Sequence, residues 1–339
     1  MGINREIGIM KKGPLNKITD VKGVKVGHCT LIGEGMNTGV TVVMPCEDNM
    51  YRRKLPCASY VLNGFGKSQG LVQVEELGQL ETPIALTGTL NVGLVHDALV
   101  QYMWKRCEDD GFSIWTVNPI VCECNDAAMN TISERFVRAE HVFKAIETAG
   151  EDFEEGAVGG GRGMTCHGLK GGIGSASRVM EFNGKEYTLG VLAQTNHGRL
   201  DDLMVDGTNV GRDIRRRIEE EPKPDKGSCI LILATDLPLT DRQLKRIIKR
   251  MSVGMARLGS FIGHQSGEVF VGFSTANRTN PDADIDTCER FNEDRIDIPF
   301  RAAAECAEEA ILSAMLHATP VTALNGKLRR ALNEFITNY

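Results

Sequence analysis

The stretch Gly227-Ser228-Cys229-Ile230-Leu231-Ile232-Leu233-Ala234-Thr235 decides how this chain folds. Six consecutive apolar residues of strand length, with no polar alternation, belong to a strand buried on both faces. Upstream, Glu219 to Gly227 is charged, carries two prolines and closes on glycine, which reads as an exposed loop. Downstream, Thr240 and Gln243 form a capping box that opens a helix. Leu244, Ile247, Ile248, Met251, Met255 and Leu258 give that helix one apolar stripe, and Gly259 is its natural stop. Val269–Ser274 is the next strand, and Arg301 to His317 is an Ala/Glu-rich helix ended by Pro320.

The N-terminal part reads the same way. Val24–Val26 and Val40–Met44 look like short strands, and Tyr60–Leu62 and Leu71–Val74 flank a glycine loop at Gly64-Phe65-Gly66. Asn91 to Cys107 repeats its apolar residues at helical spacing, and Ala139 to Ala149 is a second helix stopped by Gly150. Gly156 to Gly174 holds too many glycines for a helix. Beyond it, Arg178–Phe182 and Tyr187–Ala193 bracket Asn183-Gly184, a hairpin signal. Strands in antiparallel-looking pairs, alternating with a few amphipathic helices, predict an α/β (α+β) fold of sheet layers covered by helices.

Composition narrows the function. The 339 residues are 42% hydrophobic and 25% charged, close to a soluble globular average, so disordered, coiled-coil and collagen classes fall away. Lys and Arg number 39 against 45 Asp and Glu, a net charge of −6 that argues against a nucleic-acid partner. No apolar run approaches the ~20 residues of a spanning helix, and the opening MGINREIGIMKKGP carries no secretory pattern. Ten cysteines scattered over a long chain read as reduced thiols, which makes a cytoplasmic location the expectation.

Common catalytic motifs are missing. Cys122 and Cys124 form a CxC and Cys166 adjoins His167, but there are no CxxC pairs and no HExxH, so the expectation is no metal and no cofactor. Gly159-Gly160-Gly161-Arg162-Gly163 misses the dinucleotide-binding spacing. Gly263-His264-Gln265-Ser266-Gly267 sets its serine one place too late for a nucleophile elbow.

The Gly227-Ser228 junction offers something else. If the chain is cut there, Ser228 gains a free α-amine beside its own hydroxyl. An α-amine has a pKa near ~7.7–8.0, so it can serve as a base at neutral pH, and nucleophile and base then share one residue. On the dipeptide alone, an ordinary loop serine ahead of a strand is the favoured reading.

The blocks around it bear on that choice. Ile18-Thr19-Asp20-Val21, Gly23 to His28, Val61-Leu62-Asn63-Gly64, Glu81 to Thr87 and Glu123-Cys124-Asn125-Asp126 run in order along the chain. They are followed by Gly227-Ser228, Ala234 to Leu239, Ser266-Gly267-Glu268 and Phe273 to Asn277. Together they resemble the L-aminopeptidase/D-esterase (D-amidase) family of self-processing N-terminal-serine peptidases, over most of the chain. The resemblance implies a four-layer αββα sandwich like that of N-terminal-nucleophile hydrolases. It implies one catalytic domain, 1–339, that cuts itself into an α piece, 1–227, and a β piece, 228–339, and assembles as a homotetramer. Ser228 would be the nucleophile, Ser266 and Glu268 the serine and acid near its freed amine, and Asn196 the donor to the oxyanion. The implied substrates are small peptides, aminoacyl amides or esters. An acyltransferase with the same nucleophile and an uncleaved binding protein are the alternatives. The chain also departs from the family pattern. No tyrosine lies between Tyr102 and Tyr187, where relatives place one near the oxyanion, and Asn125 is the substitute donor. Phe65 and Lys67 stand where polar Asn and Glu are the pattern.

Overall fold

The computed structural model describes residues 7–218 and 226–336. The loop expected over Glu219 to Asp225 lies outside the described residues. In chain order, β1 (Lys25–Gly33), β2 (Met36–Met44) and β3 (Leu55–Gly64) precede α1 (Leu71–Leu77), β4 (Gln79–Leu80), β5 (Ile84–Gly88), α2 (Val92–Asp109), β6 (Ile120–Cys124) and α3 (Ala139–Glu147). Two short strands, β7 (Thr165–Cys166) and β8 (Leu169–Lys170), lead to a long hairpin of β9 (Ile173–Phe182) and β10 (Lys185–Asn196). Then come β11 (Met204–Val205), β12 (Thr208–Asn209), α4 (Gly211–Ile218), β13 (Lys226–Thr235), α5 (Asp241–Ile248), α6 (Met251–Arg257), β14 (Gln265–Ser274) and α7 (Asp297–Leu316).

Because the apolar run of β13 is continuous, it can satisfy two cores at once. Cys229, Leu231 and Leu233 face a core shared with Leu244, Ile247, Met251 and the α7 residues Ala303, Ala307 and Ala310. Ile230, Ile232 and Ala234 face the other way, onto Leu86, Cys122 and Cys124 of a second sheet. That second sheet turns Val40, Val42, Ala85 and Val121 outward against Val95 and Leu99 of α2 and Val142 of α3. The layers are therefore helix, four-stranded sheet, six-stranded sheet, helix, as the family resemblance implies. The order β4-β3-β14-β13-β10-β9 places β13 in the interior of the six-stranded sheet, with a neighbour on each side.

The pairing departs from the antiparallel expectation at two points. β13 runs parallel to β14, and β5 parallel to β6 in the sheet ordered β1-β2-β5-β6. Parallel neighbours need a crossover, supplied by α5 with α6 in one case and by α2 in the other. The single helix expected between Thr240 and Leu258 divides at Lys249-Arg250 into two, although its whole stripe is buried. Leu71–Val74 belongs to α1, whose other faces are largely solvated. At the β9–β10 hairpin, Asn183 (φ 53°) and Gly184 (φ 74°) adopt the left-handed pair that this two-residue turn requires. No helix among the described residues is long and apolar enough to cross a membrane.

The predicted capping box is present. Gln243 N donates to Thr240 Oγ1 and Thr240 N to Gln243 Oε1, each at 3.2 Å, while Gln243 Nε2 reaches the Phe291 carbonyl. Thr240→Ala removes one of these acceptors and is expected to cost ~1 kcal/mol. A lower urea midpoint at unchanged slope would report it, and an unchanged midpoint would mean that the cap contributes nothing.

Candidate active site

Ser228 sits three residues into β13, where two different pairings meet. The antiparallel register with β10 sets Asn196 opposite Ser228, and the parallel register with β14 sets Ser266 opposite Gly227 and Gly267 opposite Ser228. Residues far apart in the chain are thus brought to one end of the central strands. Gly227 is not in the loop expected from its sequence context but already in the ladder. Its backbone lies so close to β10 that a Cβ there would come within 1.9 Å of the Asn196 carbonyl oxygen, which explains why the position is glycine.

The Ser228 side chain is buried at the floor of a cavity of about 280 Å³. The walls include Phe65, Lys67, Thr89, Glu123, Asn125, Thr165 and Asn196. Among the described residues, Ser228 Oγ has no oxygen or nitrogen partner. The thiol of Cys124 lies against it, a weak donor that burial holds protonated, far above the ordinary thiol range. No imidazole or lysine is bonded to this hydroxyl. A conventional serine–histidine pair is therefore absent among the described residues.

Ser266 and Glu268 are hydrogen-bonded to each other on β14. Both are fully buried, and Ser266 Oγ donates a short hydrogen bond to Glu268 Oε1. Glu268 is set by an irregularity in the ladder, since the register of β14 against β3 shifts between Glu268 and Val269. Bulges of this kind re-aim side chains beside functional sites. Asn63 fixes the turn before β14, with Nδ2 donating to the carbonyls of Gly263 at 2.9 Å and Ser266 at 2.5 Å.

Asn196 is held from both ends. Thr165 N donates to its Oδ1 at 3.0 Å, and its Nδ2 donates to the Asn125 carbonyl at 2.9 Å. These bonds assign the amide, leaving one Nδ2 hydrogen for a further acceptor. Asn125 is exposed on the cavity wall, and its own Oδ1 accepts from Ala127 N at 2.9 Å. Its carbonyl orients Asn196, and with Oδ1 held by Ala127 its Nδ2 donor stands on the cavity wall. Phe65 and Lys67 both line the cavity, with Lys67 Nζ 4.7 Å from the centre of the Phe65 ring. These two departures thus fall on the wall that faces a ligand.

One residue of the site escapes the sequence reading. Glu123 on β6 is buried, yet it lines the cavity, with Oε1 accepting from Lys67 N at 2.9 Å and Oε2 from the Thr89 hydroxyl. The available signal was an acid between Cys122 and Cys124 in an otherwise apolar strand, since a buried carboxylate needs a reason. The cavity thus offers a hydroxyl, an amide donor and a carboxylate within one small space, a set suited to acyl transfer from a ligand that carries a cation.

Comparison with known proteins places the fold and sequence among peptidases. The chain is 37% identical to a beta-peptidyl aminopeptidase, BapA, from Sphingosinicella microcystinivorans, covering 95% of this chain and 87% of that one. Among solved structures, the PH0078 protein of Pyrococcus horikoshii OT3 superposes with a TM-score of 0.90 at 45% identity, covering 96% of this chain and 94% of that one. The L-aminopeptidase D-Ala-esterase/amidase from Ochrobactrum anthropi, described as a variant of the Ntn hydrolase fold, gives 0.89 at 34% identity, covering 97% and 93%. The model of Peptidase family S58 matches residues 16–329, and the chain belongs to that family.

Proposed function

We propose that this chain is an aminopeptidase/amidase that releases the N-terminal residue of small peptides, aminoacyl amides or esters through an ester on Ser228. The observation that carries it is the juxtaposition of Ser228 and Asn196 in one cavity, with the buried Ser266–Glu268 pair on the strand that flanks Ser228 from the other side. The missing base is the difficulty such a site must solve. Cleavage of the Gly227–Ser228 bond solves it, because the new α-amine lies on the nucleophile's own residue.

In the first event, Ser228 Oγ adds to the Gly227 carbonyl carbon and the peptide C–N bond breaks. The chain is left as an ester with a free amine, and water then hydrolyses the ester to the Gly227 carboxylate. Afterwards the Ser228 amine takes the hydroxyl proton as Oγ attacks a substrate carbonyl, and passes it to the departing amine. The Asn196 Nδ2 hydrogen not used by Asn125 is available to the developing oxyanion. Glu268, buried and hydrogen-bonded to Ser266, lies on the strand beside Ser228 and would anchor the ammonium form of that amine. Water completes the cycle by hydrolysing the acyl ester.

Glu123 is the group that would recognise a free substrate amine. An exopeptidase must tell a chain end from an internal peptide bond, and the end's positive charge is the difference a buried carboxylate can read. Free-amine substrates, both α- and β-aminoacyl amides, are expected to be hydrolysed while their N-acetylated forms are not. Glu123→Gln should lower kcat/KM for the free-amine set by roughly 10–100-fold, the worth of one charged hydrogen bond. Equal rates on acetylated and free substrates would overturn the exopeptidase reading. The named relatives act on β-peptides and on L-aminoacyl and D-Ala substrates, so the panel should span these. We further propose a cytoplasmic homotetramer. None of its ten cysteines is in a disulfide, and Trp115, 93% exposed, is an apolar surface that a subunit contact would cover.

A further inference from the structure

A second cluster of ligating side chains lies behind the cavity and takes no part in the reaction just described. Cys166 ends β7, His167 begins the turn into β8, and His197 follows Asn196 at the end of β10. The Cys166 sulfur and one ring nitrogen from each imidazole all lie within 4.8 Å of one another, and all three side chains are buried. A triangle of that size has its centre within about 2.8 Å of each corner, so metal bonds of ~2.0–2.3 Å need at most about 0.5–0.8 Å of closure at each ligand.

Three features show that the cluster is built rather than accidental. His167 Nδ1 lies 3.0 Å from the Arg199 carbonyl oxygen, which only a ring N–H can satisfy. That fixes the tautomer with its lone pair on Nε2, the arrangement that second-shell carbonyls impose on ligating histidines. His197 is fully buried, and neither of its ring nitrogens has a hydrogen-bond partner among the described residues. Such an unmet group in an interior calls for an occupant. The backbone is shaped around the rings as well. His167 has φ 47° and Gly168 φ 75°, a two-residue turn that ordinarily takes Asn-Gly or Gly-Gly. Gly198 leaves room for the His167 ring, since a Cβ there would lie 2.5–2.7 Å from three of its atoms.

We propose that Cys166, His167 and His197 bind one zinc ion, which ties the β7–β8 turn to the end of β10 directly behind Asn196. A thiolate with two imidazoles is a borderline-soft donor set that suits zinc and excludes magnesium and calcium. Binding releases the thiol proton to solvent and leaves a fourth tetrahedral position. The clamp would act on the cavity through two bonds already in place, Thr165 N to Asn196 Oδ1 and His167 N to the His197 carbonyl at 2.7 Å.

Cobalt(II) chloride added to chelator-treated wild-type protein tests this directly. One equivalent should produce a thiolate-to-cobalt charge-transfer band together with the intense visible bands of a tetrahedral ion, and one equivalent of zinc should bleach both. Cys166→Ser should abolish the charge-transfer band, and His197→Ala should weaken cobalt binding at least tenfold. Cys288→Ser, at the one exposed cysteine, should keep both signals. Absence of a saturable one-equivalent band in the wild type overturns the proposal without reference to any variant. So does a band that survives Cys166→Ser or disappears in Cys288→Ser. None of these readings depends on hydrolytic activity.

Discussion

Ser228→Ala is expected to give a single full-length chain by denaturing intact mass, where the wild type separates into residues 1–227 and 228–339. Hydrolysis of aminoacyl amides by the variant should fall on the order of 10⁶-fold, into the background. Both losses have one cause. The hydroxyl is the nucleophile in the self-cleavage and in the later turnover, and without the first event no α-amine exists to serve as base. The surroundings of Ser228 Oγ are central to this expectation, because among the described residues only the protonated Cys124 thiol lies against it and no basic side chain that could take its proton. Fragments that still appear in the alanine variant would place the cut, and its chemistry, elsewhere. A wild-type chain that stays whole after long incubation would remove the proposed base, and the uncleaved binding protein would become the better reading.

Asn196→Ala should leave KM nearly unchanged and lower kcat by roughly 10²–10³-fold, the cost of one oxyanion donor. Removing the amide also frees Thr165 N and the Asn125 carbonyl from their partners, so Asn196→Asp is the sharper companion. It keeps the acceptor for Thr165 but puts a negative charge where a negative charge develops, and should lower kcat further than alanine does. If either variant raises KM and spares kcat, Asn196 binds the ground state alone and the oxyanion must be met by another group. Cys124 occupies the space beside Ser228 and is a poor donor, so the chain's lack of a tyrosine in this region leaves Asn196 as the side-chain donor whose loss is expected to matter most.

Much of this was legible before any coordinates. The unbroken apolar run after Ser228 required a strand covered on both faces, and the structure lays it between two cores. Asn183-Gly184, the Thr240–Gln243 box and the helical spacing in α2 and α3 are local signals, and each formed the element its sequence predicts. Other local readings gave way. The 240–258 stripe was continuous in sequence, but the chain breaks at Lys249-Arg250 as it crosses over to place β14 parallel to β13. Leu71–Val74 formed a helix on the surface, where tertiary position outweighs β-branched content.

What the sequence determined by itself is therefore the periodic and the contiguous: which segments are apolar on one face or two, where turns and caps fall, and that a glycine–serine pair opens the central strand. What only the tertiary structure decided is which distant residues share a space. Asn196 meets Ser228 because of one antiparallel register, and Ser266 meets Gly227 because of one parallel register. Glu123 reaches the same cavity from the other sheet, and His197 reaches Cys166 and His167 across a turn. A strand register is set by the packing of whole sheets, and a slip of one residue would turn every side chain to the opposite face. That information is spread over both cores and is written in no single stretch of the chain.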